Sequence, residues 1–525
     1  MNTILKYFLI LIVFISGIFL SCSDNLDTEP TDRFSGTTIF RDVTSAQTSI
    51  HGVYALFWRF VYVTGNQTQG YGHQSVILAQ DVMAEDMLQR AFNWFGFDYQ
   101  LDYTRTISVG TASRNYDVWN RLYTVISNAN YIINSEETIQ GDPAIVKNIV
   151  AQAYAMRAFC YFELIQGFQF TYLGNQTKPG VPIYTQPTVA GDEGKPRGTV
   201  EDVYTQINFD IERAIELFTE IGKPVQEHPS NIDYFVAKGF QSRIALVQGR
   251  WQDAFNAAAE ARSKPELKLL SNTEIMTGFN RYTLPSTLWA MEMINDQSQI
   301  WASLYSFLDP EGGYGGNIRV CISRWLYDKI ANPDFDDKRV DWFQPPIHGT
   351  NNTGINVNYG QMKRRFHTET NWVGDIIFMR AEEMLIIQAE AEARLGHYDE
   401  ARALLNELAA VRLTTPEGLT AYDTYLNSLA DAATLPTLTH VDPTNVLEEV
   451  IMQRRIELWG EIGRIKDILR LKQGYDRSYP GNNHTQFVTT VTTTKPENGA
   501  FLFKIPQTEF DGNVNISSEE QNPTD

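Results

Sequence analysis

Cysteine is scarce in this chain: Cys22, Cys160 and Cys321 are the only three among 525 residues. That excludes a disulfide-stapled scaffold, and Cys160 and Cys321, far apart in helix-like sequence, read more readily as two separate thiols than as a pair. Positive charge is also short, with 43 Lys and Arg against 63 Asp and Glu and a formal charge of −20. Such a surface excludes nucleic acid as a partner, because phosphates demand a basic face. It equally disfavours adhesion of the protein surface to anionic lipid, while a neutral or cationic ligand is compatible. The eight histidines, at positions 51, 73, 228, 348, 367, 397, 440 and 484, never approach metal-ligand spacing, and no HExxH occurs. There is no GxSxG elbow, and Gly191-Asp-Glu-Gly194-Lys195-Pro lacks the spacing and the Ser or Thr of a phosphate loop. Gly312-Gly-Tyr314-Gly-Gly316 reads as a flexible tip. No catalytic residue, metal or cofactor is therefore expected.

Long apolar runs are missing too, except at the start. MNTILKYFLILIVFISGIFLSC carries one charge, Lys6, then an apolar run from Tyr7 to Leu20, and SDNLDTEP after Cys22 is abruptly polar and acidic. The run is too short and wrongly flanked for a stable transmembrane helix and fits an export signal. A small residue, Ser21, before Cys22 resembles a bacterial lipoprotein signal, in which the Cys carries the lipid; Phe19 departs from the usual Leu. A plain secretory peptide is the alternative. The following 23–38 read as a polar tether.

With 43% hydrophobic and 20% charged residues, the remainder can bury a large core. Helical periodicity covers roughly 42–60, 74–90, 113–136, 143–168, 199–219, 231–248, 251–262, 376–395, 398–412 and 445–471. Two joints match: Gly249-Arg-Trp251-Gln-Asp-Ala254 and Gly396-His-Tyr398-Asp-Glu-Ala401. Gly ends one helix without a Cβ penalty, the aromatic wedges into the corner, and Ala lets the next helix approach. Met384, Ile387, Ala391 and Leu395 form one apolar stripe. The pattern resembles the tetratricopeptide repeat, with copies separated by an insertion. After Gly474 the chain turns Thr-rich and then reads as a short strand at FLFKIPQTEF.

Residues 270–375 differ: they are rich in Gly, Asn and aromatics, and hold Trp289, Trp301, Trp325, Trp342 and Trp372. A sugar ring offers an apolar CH face rimmed by hydroxyls, so an exposed aromatic plate beside polar side chains suits it. Trp94 with Asn93 in RAFNWFGFDYQ, Trp301 and Tyr305 in NDQSQIWASLYSF, and Tyr314 among glycines are the candidate ligand-binding residues. Trp119, Trp251 and Trp459 sit in repeat helices and read as packing. Arg454, Arg455, Glu457, Glu461, Arg464, Asp467 and Arg470 crowd one helical stretch. Glu457 and Glu461 could suggest acid–base work, but spacings of three and four make most of the set ion-pair neighbours on a helix face. Glu382, Glu383, Glu390 and Glu392 read as the solvated or pair-forming face of a repeat helix.

Four stretches in order resemble the SusD/RagB family, the surface glycan-binding lipoproteins of Bacteroidetes. They are the Cys22 leader with SDNLDTEPTDRFS; AQAYAMRAFCYFELIQGFQFTYLG with Arg157, Ala158 and Tyr161, then VPI at 181–183; RAEEMLIIQAEAEARLGHYDEARALLN at 380–406; and QRRIELWGEIGRIKDILR at 453–470 with KIP at 504–506 and QNP at 521–523. Gln453 stands where the family usually has Glu, Ile462 where it usually has Gly, and two extra residues separate Asn406 from Arg412. The resemblance implies a mainly α fold: a signal peptide at 1–21, the tether at 22–38, and one SusD-like domain over 39–525. Tetratricopeptide-like helices at 113–262 and 376–471 would carry a loop-rich insertion at 270–375. It further implies a non-enzymatic protein, lipid-anchored through Cys22 on the outer face of the outer membrane. That protein would bind a glycan and pass it to a SusC-like TonB-dependent transporter. A surface glycoside hydrolase, a repeat-type protein-binding scaffold and a peptide-binding uptake lipoprotein are the alternatives.

Overall fold

The computed structural model describes residues 40–59, 70–102, 114–188, 191–298, 300–347, 357–367, 371–484 and 491–524. Cys22 and the leader lie outside them. Its longer helices are α1 (Val43–Ala55), α2 (His73–Val82), α3 (Arg114–Asn134), α4 (Pro143–Phe168), α5 (Val200–Glu220), α6 (Tyr234–Gln248), α7 (Trp251–Arg262), α8 (Ala381–Leu395), α9 (Tyr398–Ala409), α10 (Pro416–Ser428), α11 (Val446–Glu457) and α12 (Arg464–Arg470). Among the described residues no helix is long and apolar enough to cross a membrane.

Local chemistry sets the ends. Asp142 caps α4 by accepting the Ala144 N–H at 2.8 Å, with Pro143 in the first turn where its missing N–H costs nothing. Thr199 and Asp202 form a reciprocal capping box at α5. Gly249 and Gly396, with φ of +73° and +84°, close α6 and α8 in the left-handed conformation that glycine adopts freely. Just beyond each corner, Ala254 and Ala401 are fully buried where the next helix leans in. The matching joints are thus matching helical hairpins, and the scaffold is tetratricopeptide-like.

Consecutive helices pack pairwise from α3 through α7, and α8 then packs directly on α7. The stack is continuous in space although 118 residues separate the two helices (263–380). Helix α4 is buried nearly all round because α3 and α5 flank it. The inserted segment leaves and returns through two antiparallel strands, β4 (Thr287–Met291) and β6 (Ile376–Arg380), with Met291 opposite Ile376. Trp289, fully buried on β4, packs against Phe159, Phe240 and Phe378 and donates its indole N–H to the Ser230 carbonyl, joining the insertion to the helical core.

Several boundaries differ from the sequence reading. Residues 376–380 are strand, because β-branched and aromatic Ile-Ile-Phe precede the first helical turn. Met87–Gln89, expected inside a helix, form β1 against β5 (Val320–Ile322). The stretch 445–471 is two helices, broken where Gly460 and Gly463 take φ of +72° and +73°. FLFKIPQTEF is not a strand: Gly499–Phe501 form a 3-10 turn, and Gln507–Gly512 a short helix. Pro506, whose ring fixes φ, sits as the cap between them. Cys160 and Cys321 are buried and free.

The break at 458–463 redirects the charges. Of the pairs expected along one helix only Asp467–Arg470 forms, at 2.6 Å. Glu457 is instead a buried hub, 2.7 Å from Arg380, 2.7 Å from Arg412 and 3.2 Å from Arg339. Glu461 takes Lys363 at 2.6 Å and Arg380 at 2.8 Å. Glu382 pairs with Arg380 and Arg412, Glu383 with Arg243, and Glu390 with Arg470; all three carboxylates are buried, not solvated. The hub therefore binds the insertion (Arg339, Lys363) to the scaffold.

Acid should expose this dependence. Burial alone would raise the Glu461 carboxyl, but Arg380, Lys363 and Arg364 outweigh it and hold the group at about 2. Glu85 is likewise held at about 2, by Arg464 and Arg455 against its burial. A carboxyl depressed in the folded state stabilises fully above its unfolded pKa, and that contribution drains away as pH falls to its folded pKa. Asp81, which burial pushes up to about 7, acts in the opposite sense between 7 and its ordinary 3.8. His484, which burial and then Arg477 push down to about 3, opposes Asp81 by losing stability as pH falls below its ordinary 6.5. The melting midpoint is therefore expected to fall steeply from the ordinary Glu value of 4.5 toward 2. A midpoint that holds between pH 4.5 and 2, followed by calorimetry, would contradict this.

Candidate functional site

The candidate aromatics meet on one surface. Asn93 builds the first turn: its Oδ1 accepts the Phe95 N–H at 2.8 Å, and its Nδ2 donates to the Ala91 carbonyl at 2.9 Å and to Gln89 Oε1 at 2.5 Å. That turn sets Trp94, half-buried, with its ring 4.7 Å from Tyr314 and edge-on to Phe307 at 6.0 Å. Tyr314 follows Gly312 and Gly313 and donates its N–H to the Ser306 carbonyl. On its other side stands Trp301, 5.2 Å away and 51% exposed. Gly313 allows that placement, since a Cβ there would lie 2.5 Å from the Trp301 ring. Trp372 completes the row, edge-on to Trp301 at 4.6 Å.

The row Trp94–Tyr314–Trp301–Trp372 is thus contiguous and drawn from three separate stretches of chain. Phe307, buried 5.1 Å from Tyr314, supports it from below. Asp309, also buried, anchors the turn by accepting the N–H groups of Glu311 and Phe366 and pairing with Arg365 at 3.0 Å. Ser298 donates to the Asn371 carbonyl and so ties the Trp301 side to the Trp372 side. Glu311 and Asn317 are exposed on either side of Tyr314 in sequence.

Two sequence expectations change here. Tyr305 is not a surface residue: it is 2% exposed, and its hydroxyl bonds the carbonyls of Phe279 and Asp375 at 2.8 and 2.7 Å. It lies in the short helix Leu304–Leu308, whose five side chains are all buried. Trp372, not among the sequence candidates, sits beside Asn371 and two before Gly374, a flanking like that of Tyr314 among its glycines. Trp119 and Trp459 are buried as expected of packing residues, and Trp251 is half-buried under the Arg394 guanidinium.

Glu457 and Glu461 are buried and paired within the ion-pair hub. Among the described residues no group of three or more His, Cys, Asp or Glu is set to hold a metal ion. What the surface row can do is stack: apolar ring faces, held rigidly by turns, against a flat, weakly polar ligand face.

A helical-repeat scaffold bearing an aromatic surface patch defines the architecture of a binding protein. Residues 61–246 match the family described as starch-binding associating with outer membrane, and 327–524 match the SusD family. The chain belongs to the SusD/RagB family. It is 24% identical to the SusD-like protein P38 of Formosa agariphila over 71% of this chain and 76% of that one. It is 21% identical to the SusD-like protein P25 of the same organism over 88% and 89%. Its fold matches a SusD-like carbohydrate binding protein from Bacteroides vulgatus with a TM-score of 0.74 at 23% identity, covering 92% of this chain and 99% of that chain. A laminarin binding SusD-like protein aligns with a TM-score of 0.60 at 17% identity over 92% and 100%.

Proposed function

We propose that this protein binds a glycan at the Trp94–Tyr314–Trp301–Trp372 row, without catalysis, for nutrient uptake at the cell surface. The half-exposed Trp301, fixed over Gly313 between two other rings, is the observation that carries this reading. An aromatic held this open gives up little core packing to a rotamer search, so its face is preorganised for a sugar ring. Asn93 acts through the turn that presents Trp94. The family match and the neighbours whose names carry carbohydrate or laminarin binding support the same class of ligand. Electrophoresis of the native protein through gels containing a panel of polysaccharides tests it. Retardation by at least one neutral glycan is expected, and unretarded migration in every gel would sink the reading.

Family membership also supports the rest of the pathway: a lipid on Cys22, residence on the outer face of the outer membrane, and delivery to a SusC-like TonB-dependent transporter through the helical scaffold. The leader's Ser21-Cys22 junction is the sequence support for the anchor. Two or more acyl chains suffice for stable attachment. Cys22→Ala should release the protein from the membrane fraction or trap it as an uncleaved precursor, read by fractionation and mass spectrometry. Mature protein still in the membrane fraction would refute the anchor.

A further inference from the structure

A second cavity, sharing no residue with the aromatic row, opens between α9, α10, α11 and the loop after the helix Arg324–Ile330. Its volume is about 370 Å³, within the range of small-molecule sites. One wall is aromatic: Phe335 lies 5.3 Å from Tyr422 and 5.5 Å from Tyr425, and those two rings are 6.0 Å apart. At the back stands Glu449, 3% exposed, accepting the Tyr422 hydroxyl at 2.8 Å, the Tyr425 hydroxyl at 3.0 Å and the Gln453 amide at 2.7 Å.

The charges do not balance. The lining carries four carboxylates, Asp328, Asp337, Asp442 and Glu449, against Lys329 and Arg339. Arg339 is committed to Asp337 and Glu457, Lys329 to Asp442 at 2.5 Å and, from outside the lining, Arg324 to Asp328 at 3.6 Å, which leaves Glu449. Among the described residues no Lys, Arg or His nitrogen lies within 4 Å of the Glu449 carboxylate. Buried carboxylates are ordinarily paired with a cation. The tyrosine hydroxyls, each spending its hydrogen on Glu449, turn only acceptor oxygens outward, and the aromatic faces carry negative quadrupole charge. The aromatic wall and Glu449 together therefore suit a donor or a positive charge.

We infer that this cavity binds a small organic cation, a primary or quaternary ammonium group seated against Phe335, Tyr422 and Tyr425 with Glu449 as its counter-ion. Cation–π contact and a desolvated counter-charge are the physical basis. The role is separate from glycan binding and does not rest on it.

Isothermal calorimetry on the full protein with choline and with its neutral isostere 3,3-dimethylbutan-1-ol tests this directly. Choline or ethylammonium should bind saturably and the isostere at least about tenfold more weakly, a gap of about 1.4 kcal/mol. Glu449→Gln keeps an acceptor oxygen for one of the tyrosines and should erase that gap. Tyr425→Ala, at a half-buried position, should weaken choline binding while leaving the fold and the glycan gel shift unchanged. Equal affinity for choline and the isostere, no saturable binding of either cation up to tens of millimolar, or a charge preference that survives in Glu449→Gln would each overturn the proposal.

Discussion

Trp301→Ala should weaken glycan binding by about 1–3 kcal/mol, the range lost when a central aromatic anchor is truncated, or roughly 5- to 150-fold in Kd. The side chain is half exposed and packs edge-on against Trp372 and tilted against Tyr314, so its removal opens the middle of the row and leaves the ends apart. The melting midpoint should barely move, because little of the ring is in the core. Trp94→Ala and Tyr314→Ala should each weaken binding less, since both are half-buried and offer a smaller face. Calorimetry against a glycan that retards the parent protein, with a thermal melt of each variant, gives both readouts. A triple variant that binds as tightly as the parent would remove the row from the site.

Glu457→Gln is expected to have the largest effect on stability. The substitution leaves Arg339, Arg380 and Arg412 buried around a neutral amide. Breaking a buried pair by removing one partner costs about 3–5 kcal/mol, most of it the uncompensated charge. With about 2.1 cal/mol/K of unfolding entropy per residue, a chain of this size should melt roughly 3–5 °C lower. Glycan affinity should stay within error, because the hub carries its charge inside the molecule and Glu457 is no part of the row. Loss of binding with an unchanged melt would mean that Glu457 serves the ligand and not the fold.

Helix spans were the most legible part of the sequence. Asp142-Pro143 and the Gly249-Arg250 corner announce their ends chemically, and α4 and α7 run over 143–168 and 251–262 as read. Strands of three to five residues, such as Met87–Gln89 and Ile376–Arg380, are too short for alternation to show and abut helices of the same apolar character. The charged stretch at 453–470 illustrates a different limit. Spacing of three and four marks neighbours only while the helix continues, and Gly460 and Gly463 end it. The pairing partners Arg339, Lys363, Arg380 and Arg412 lie tens of residues away and could not be found by counting. In the aromatic patch, flanking Gly and Asn mark Trp94 and Tyr314, and Trp301 stands out by its loop-rich, polar neighbourhood. Tyr305 is surrounded by Leu304, Phe307 and Leu308, and that apolar company was the available sign of burial. Trp372 carried the same flanking signal and went unread.

The β4–β6 pairing has an evolutionary corollary. Met291 and Ile376 sit across from one another, so everything between them begins and ends at nearly the same point on the scaffold. Loop closure costs grow only slowly with length. Such a segment can lengthen, shorten or be exchanged for a relative's without shifting the helices α7 and α8 that meet behind it. Three of the four rings of the row, Trp301, Tyr314 and Trp372, are carried by this cassette; Trp94 lies outside it in sequence and packs against the cassette's own core. A transplanted cassette must bring residues able to meet Glu457 and Glu461, as Arg339 and Lys363 do here. It must also bring a strand to pair with Met87–Gln89, as Val320–Ile322 does here, and within those conditions ligand choice can diverge without loss of the fold.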